Sequence, residues 1–118
     1  MPHKHNAHMQ DCISQCDDCH DTCQETLYNH CLAEGGKHAE AEHVKLMTDC
    51  IQICHTSADF MRRNSKVHMA ICAACAEVCE ACAESCERIG GDHMKRCAEA
   101  CRACAKSCRE MSQMKKAA

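Results

Sequence analysis

The stretch from Cys72 to Cys86 constrains the fold more than any other part of this chain. Its five cysteines recur at steps of 3, 4, 3 and 4 residues, in the order CAACAEVCEACAESC. This alternation is the spacing of residues on one face of an amphipathic helix, with thiols where a helical bundle usually carries leucine. Neither glycine nor proline interrupts the sequence between Ser65 and Ile89, and Ala and Glu favour helix. The pattern predicts a long helix whose thiols face the protein interior.

Three further segments repeat this cysteine-bearing face. The predicted helices span about residues 7–33, 37–63 and 68–89, and a fourth runs from about residue 92 to near Lys115-Lys116; Gly35-Gly36, Asn64-Ser65 and Gly90-Gly91 mark the turns between them. Four helices of similar length joined by short turns favour an all-α, antiparallel up-down-up-down four-helix bundle with a cysteine-lined core. We predict a disordered His-containing tail at residues 1–6 and one bundle domain at residues 7–118.

The composition leaves little aliphatic material for a core. Leu, Ile, Val and Phe total 12 of 118 residues, whereas the chain has 16 cysteines and 8 methionines. Folded domains usually contain about 20% of these four residue types, so sulfur side chains, or ions bound to them, must fill the interior. The formal net charge of −3 provides no basic surface for nucleic acid or anionic membranes, so we expect neither partner.

The cellular compartment decides how the cysteines are interpreted. The N-terminal residues lack the apolar segment of a signal peptide, and no run approaches the roughly 18 apolar residues of a membrane span. We therefore expect a cytoplasmic protein in a reducing environment. Cysteines there remain thiols and act as metal ligands or catalytic groups.

Seven Cys-x-x-x-Cys pairs indicate the kind of metal. They are 12/16, 19/23, 50/54, 75/79, 82/86, 97/101 and 104/108. Residues four apart share a helix face with Cβ atoms about 5–6 Å apart, and two bonds of about 2.3 Å to sulfur span a similar gap. Such two-coordinate sulfur binding suits Cu(I), whereas zinc requires four ligands converging in a tetrahedron. Because thiolates can bridge ions, the expected capacity is on the order of 15 Cu(I) per chain.

Folding the bundle at its turns predicts layers of sulfur along one axis. Methionines from each helix meet at one end, and histidines meet with one cysteine at the other. The predicted layers, from the methionine end, are Met9/Met61/Met69/Met111; Cys12/Cys72/Cys108 facing Ala58; Cys16/Cys54/Cys75/Cys104; Cys19/Cys50/Cys79/Cys101; Cys23/Cys82/Cys97 with Met47; Cys86 with Met94; and His30/Cys31/His43/His93. We predict that the four methionines form an entrance for Cu(I), because thioethers bind it more weakly than thiolates.

Other interpretations of the cysteines remain open at this point. Buried cysteines can act as small hydrophobic residues, cross-helix disulfides can form in an oxidised sample, and clustered cysteines can bind iron–sulfur clusters or zinc. Enzyme motifs are weaker. A di-iron bundle needs two Glu-x-x-His motifs and two further Glu, whereas this chain has the single motif Glu40-x-x-His43. Mid-helix Cys-x-x-Cys lacks the helix N-terminus that lowers a thiol pKa. We expect no enzyme activity.

The sequence resembles the cytosolic branch of the bacterial four-helix-bundle copper storage proteins. Residues 69–86 and 97–111 carry the resemblance most strongly, and residues 11–23 add to it. The resemblance implies storage of many Cu(I) ions, a homotetramer, and a sink that protects the cell or supplies copper enzymes, with a copper chaperone as a possible donor. This chain departs from the pattern near Thr26 and His43, where relatives are expected to have cysteine. The candidate ligands are all 16 cysteines, His30, His43, Met9, Met47, Met61, Met69, Met94 and Met111.

Overall fold

Four long helices form the structure, a computed structural model that describes residues 6–114. They are α1 (Ala7–Thr26), α2 (Ala41–Arg62), α3 (His68–Ile89) and α4 (Asp92–Gln113). Each helix packs against two others, in the closed ring α1–α2–α3–α4, and the bundle measures 51 × 24 × 20 Å. The predicted all-α four-helix bundle is therefore confirmed. Among the described residues, no helix combines the length and apolar character that crossing a membrane requires.

The chain ends fall largely outside this description. Residues 1–5 of the predicted tail and the last four residues of the predicted bundle domain lie beyond the described part. Asn6 is the N-cap of α1, and its Oδ1 accepts a hydrogen bond of 2.7 Å from the Met9 N–H. This bond satisfies one of the amide groups that the first helical turn leaves without a partner.

The first helix continues beyond α1 in a different geometry. Leu27–Cys31 is a π-helical turn, in which the Leu32 N–H bonds to the Leu27 carbonyl five residues earlier, and Leu32–Glu34 completes the helix. A π turn accommodates one extra residue within an otherwise α-helical segment. Consequently both Leu27 and Cys31, four residues apart, point into the core, where they are buried.

The second helix begins later than the sequence predicted. Gly36–Ala39 forms a short 3-10 turn, and α2 starts at Ala41 instead of near residue 37. Gly35 and Gly36 have φ angles of 71° and 54°, a left-handed conformation that glycine adopts without steric cost. The chain therefore reverses direction through residues 37–39, which the sequence analysis had assigned to the first turn of α2.

Candidate metal centre

All 16 cysteines lie inside the bundle with no exposed surface and no disulfide bond. Their alternating spacing of three and four residues keeps each on the core-facing stripe of its helix. Fifteen of them, all except Cys31, form a continuous set that we call the thiol array. Apart from alanines, the aliphatic side chains buried in the described part of this core are Ile13 and Leu27.

The end of the thiol array nearest the methionines matches the predicted layer. Cys12, Cys72 and Cys108 place their Sγ atoms within 4.8 Å of one another. Ala58, predicted to face them, is completely buried, and its neighbour Ser57 places Oγ 3.6 Å from Cys72 Sγ. The layer therefore holds three thiols and lacks a fourth on α2.

The middle of the thiol array interlocks rather than forming separate layers. Four groups of four thiols each lie within 4.8 Å, and they are Cys16/Cys75/Cys104/Cys108, Cys54/Cys75/Cys79/Cys104, Cys19/Cys50/Cys54/Cys79 and Cys19/Cys23/Cys50/Cys101. Contacts such as Cys54–Cys79 at 3.5 Å and Cys23–Cys101 at 3.5 Å connect one predicted layer to the next. Most members belong to two groups, so the thiols form one extended cluster.

Met47 occupies the next part of the core. Its Sδ lies 3.7 Å from Cys82, 3.6 Å from Cys86 and 3.9 Å from Cys97, and Cys97 is 3.2 Å from Cys23. The predicted grouping of these residues agrees with the structure, except that Cys86 joins Met47. The sequence placed Cys86 beyond this level with Met94, whereas its contact in the structure is with Met47.

Met94 instead contacts Cys31, at the end of the bundle opposite the Met9 end. Cys31 Sγ lies 3.6 Å from Met94 Sδ and 3.6 Å from His43 Nε2. His43 Nδ1 lies 2.7 Å from Ser85 Oγ, and Arg88 donates a 3.3 Å hydrogen bond to the same oxygen. The sequence analysis did not predict the contact between Ser85 and His43, because a serine between core-facing cysteines does not indicate contact with a residue distant in sequence.

The predicted convergence of four residues at this end is only half correct. His43 and Cys31 are buried together, but His30 lies on the flank of the helix, half-buried, and stacks on the exposed His93 with ring centroids 4.1 Å apart. The π turn causes this, because it directs Leu27 and Cys31 inward and leaves His30 beside them. His38 packs edge-on against His30 at 5.0 Å.

The predicted methionine end is largely buried. Met9, Met61 and Met111 are almost completely inaccessible, whereas Met69 is half-buried. Three of these thioethers therefore belong to the core beside the first thiol layer.

Hydrogen bonds among the thiols lower the pKa of some cysteines, such as Cys16 and Cys82, and raise the pKa of others, such as Cys23. Bonds from Cys104 and Cys108 lower the pKa of Cys16 to about 6, and a bond from Cys101 is the main cause that lowers the pKa of Cys82 to about 7. An S–H that donates to a thiolate stabilises its charge, and the donor then keeps its own proton. Incoming metal ions must displace those remaining protons.

The Cys31 end has a different electrostatic character. Burial, followed by the negative charges of Cys97 and Cys82, raises the pKa of Cys31 to about 11. Burial also lowers the pKa of His43, so its imidazole is neutral at neutral pH. A neutral imidazole offers a free nitrogen lone pair, which is the form that binds metals.

Comparison with known proteins defines the class to which this fold and core belong. The family model described as Csp, copper storage protein, matches residues 5–113. The chain belongs to the copper storage protein family.

Three solved structures illustrate how closely the fold is shared. The Nmul_A1745 protein from Nitrosospira multiformis is 45% identical, with a TM-score of 0.87, and the match covers 92% of this chain and 97% of that one. The Cu(I)-bound copper storage protein BsCsp3 of Bacillus subtilis is 35% identical, with a TM-score of 0.83 and coverage of 89% and 98%. The copper storage protein Ccsp from Streptomyces lividans, loaded with 10 copper equivalents, is 30% identical, with a TM-score of 0.83 and coverage of 95% and 92%.

Proposed function

We propose that this chain stores many Cu(I) ions on the thiolates of its own bundle core. The observation that carries the proposal is the thiol array: 15 buried, unpaired cysteines in continuous contact along the bundle axis. Soft thiolate and thioether ligands select Cu(I), and a thiolate can bridge two ions. The array therefore supports a capacity on the order of 15 ions, as the sequence predicted.

The overlap between the thiol groups argues against zinc storage. A zinc site needs four thiolates of its own, and each ion is held at about 2.3 Å by all four. Because the four-thiol groups share members, at most two of them can be filled at once without using a cysteine twice. Zinc would leave about half of the cysteines unused, whereas two- and three-coordinate Cu(I) uses them all.

The proposed ligands follow from the positions of the sulfur and nitrogen atoms. The 16 cysteines, Met47, Met94 and His43 are core ligands, since each lies within about 4 Å of another donor or within one of the thiol groups. Met9, Met61, Met69 and Met111 form the entrance through which ions reach Cys12, Cys72 and Cys108. His30, with His93 beside it, is left as a surface ligand and not a core one.

The wider role follows from family membership and burial. A non-catalytic role fits because no thiol is exposed to a substrate. We place the protein in the cytoplasm as a copper sink supplied by a chaperone, and as a homotetramer. A shallow apolar groove between α2 and α3, lined in part by Ile53, Ile71 and Val78, is available for contact between copies.

Anaerobic titration of the reduced protein with Cu(I), in competition with a strong chelator, tests storage. Chelator-resistant binding of many ions per chain is the expected result. A stoichiometry of one or two ions would contradict storage and favour a chaperone or sensor. Zinc titration of the same sample should saturate at about two ions, since each needs four thiolates.

The entrance is tested by the rate of loading. Replacing Met9, Met61, Met69 and Met111 with Leu keeps the side-chain volume and removes the thioethers, a swap that cores tolerate well. Slower Cu(I) uptake at unchanged capacity is expected. Unchanged rates would show that the methionines only fill the end of the core.

A further inference from the structure

Cys31, the cysteine outside the thiol array, makes its contacts with a nitrogen and a thioether. Among the described residues, its recorded sulfur contacts are His43 Nε2 and Met94 Sδ, each at 3.6 Å. We infer that Cys31, His43 and Met94 form a discrete site for one Cu(I) ion, held by one thiolate, one imidazole and one thioether. This inference rests on the proposed function of Cu(I) storage and identifies a chemically distinct position within it.

The two separations from Cys31 fit one small ion in trigonal coordination. Bonds of about 2.3 Å to sulfur and about 2.0 Å to nitrogen, at 120°, separate the sulfur and nitrogen by about 3.7 Å and two sulfurs by about 4.0 Å. The observed separations of 3.6 Å differ from these values by a few tenths of an ångström. Small side-chain rotations therefore suffice to admit the ion.

The histidine is held in the orientation that metal binding requires. Its Nδ1 lies 2.7 Å from Ser85 Oγ, which leaves Nε2 directed at Cys31. Ser85 is completely buried and also accepts a hydrogen bond from Arg88, so its oxygen is fixed in place. Metal-binding histidines usually donate their other ring N–H to such a partner, which fixes the tautomer and the ring.

Charge separates this site from the thiol array. One thiolate and one Cu(I) ion sum to zero, and the imidazole and thioether are neutral. Burying a neutral site costs far less than burying a net charge, so it needs no bridging ion or counter-ion from the array. Leu27, buried on the same helix between Cys23 and Cys31, adds an aliphatic side chain at the position where a further thiol would continue the array.

The site also has its own approach from solvent. A surface groove of about 360 Å³ reaches His43 and Ser85, and its other lining residues include Lys37, Glu40, Glu42 and Arg88. The imidazole is therefore the ligand nearest the surface. Because its two neutral donors can dissociate without protonation of a thiolate, this ion is the first that a chelator removes.

Nuclear magnetic resonance of the imidazole nitrogens tests the site directly, because Cu(I) is d10 and diamagnetic. In the full chain, loading with Cu(I) should shift the Nε2 resonance of His43, which is assigned by its disappearance in His43→Gln. The exposed His55 serves as the internal control and should not shift. In Cys31→Ser the His43 shift should be lost while most of the copper capacity remains.

Chelator competition provides a second readout. One ion per chain should leave in a fast phase that is absent in His43→Gln and Met94→Leu. Met114→Leu is the matched control, since Met114 is 36% exposed and belongs to no proposed site, and it should retain the fast phase. A fully loaded protein whose His43 resonance stays at its copper-free position would overturn this site and leave storage intact. Failure to load many ions would instead refute the proposed function.

Discussion

At the scale of single residues, the thiols of the array touch one another. Sulfur–sulfur distances include 3.2 Å for Cys23–Cys97, 3.5 Å for Cys16–Cys108 and 3.9 Å for Cys19–Cys23. A Cu(I) ion bound linearly by two thiolates needs a separation of about 4.6 Å. Loading must therefore move sulfur atoms apart by about 1 Å, which rotation about a single side-chain bond can provide. Each cysteine then contributes to the capacity individually.

The incomplete first layer offers a gain-of-function prediction. Ala58 is buried beside the layer of Cys12, Cys72 and Cys108, so Ala58→Cys should supply the fourth thiol and add about one tightly bound Cu(I). Native mass spectrometry of the loaded protein resolves single copper ions and measures the gain. Ala73→Cys, on the exposed face of α3, is the matched control and should add none that resists a chelator. Equal gains in both variants would contradict a layered core.

Leu27 is expected to contribute strongly to the stability of the metal-free protein. Only 1% of its surface is exposed. Leu27→Ala should therefore leave a cavity and lower the free energy of unfolding by about 2–5 kcal/mol. The matched control is Leu32→Ala, because Leu32 is 45% exposed, and its effect should stay within about 0.5 kcal/mol. Urea unfolding of reduced protein measures both. Similar losses for the two variants would show that Leu27 does not pack in the core.

At the scale of helices, the π turn sets which side chains reach the core. Between Cys23 and Cys31 the core-facing residues are spaced by four and four, through Leu27, whereas the rest of the helix alternates three and four. The π turn accommodates the one additional residue in this spacing, so the cysteines on both sides of the turn still face the core. His30 and Thr26 are consequently half-buried on the flanks.

Deletion of one residue distinguishes the π turn from ordinary helix. Removing the exposed Asn29 should convert the π turn to an α turn without rotating either flank, so the melting temperature should change little. Removing the exposed Asp18 should instead rotate the preceding part of α1 by about 100°, which turns Cys12 and Cys16 away from the core. Circular dichroism melting and copper capacity measure both outcomes. Equal damage from the two deletions would contradict the role of the π turn.

The sequence pattern predicted the helices better than the details at their ends. Cysteines every three or four residues define one helix face unambiguously. The predicted positions of the turns set how the helices align along the bundle axis, and they place Cys12, Cys72 and Cys108 in one layer, as observed. The same periodicity allowed either His30 or Cys31 to face inward, because both positions are compatible with an α-helix. Only the π turn resolves that choice, and it depends on packing against other helices that local spacing does not encode.

The start of α2 and the partner of His43 illustrate the same limit. Lys37 follows two glycines, and nothing in its own side chain shows that the chain first makes a 3-10 turn before Ala41. Ser85 meets His43 only because α2 and α3 pack at a particular depth and rotation. Tertiary packing therefore determined these features, while local propensity determined the helices.

At the scale of the whole molecule, helix packing alone closes the bundle. The four helices contact one another in a complete ring, and surface pairs such as Arg102–Glu87 at 2.8 Å connect neighbouring helices. The backbone hydrogen bonds of the helices form within each helix, so folding should not require bound metal, unlike the folding of a zinc finger. We therefore expect the copper-free protein to be a folded bundle whose thiols are already aligned for binding.

This arrangement predicts that Cu(I) stabilises the protein without changing its helix content. Far-ultraviolet circular dichroism of reduced, metal-free protein should show a helical spectrum that superimposes on that of the loaded form. The melting temperature should rise with each addition of Cu(I), because ions that bind only the folded state stabilise it by an amount that grows with ligand excess. A protein with every cysteine of α3 replaced by Ala is the control, since it keeps a helical sequence but should gain much less stability from copper. A random-coil spectrum in the metal-free state, followed by copper-induced helix formation, would show instead that the ions build the bundle.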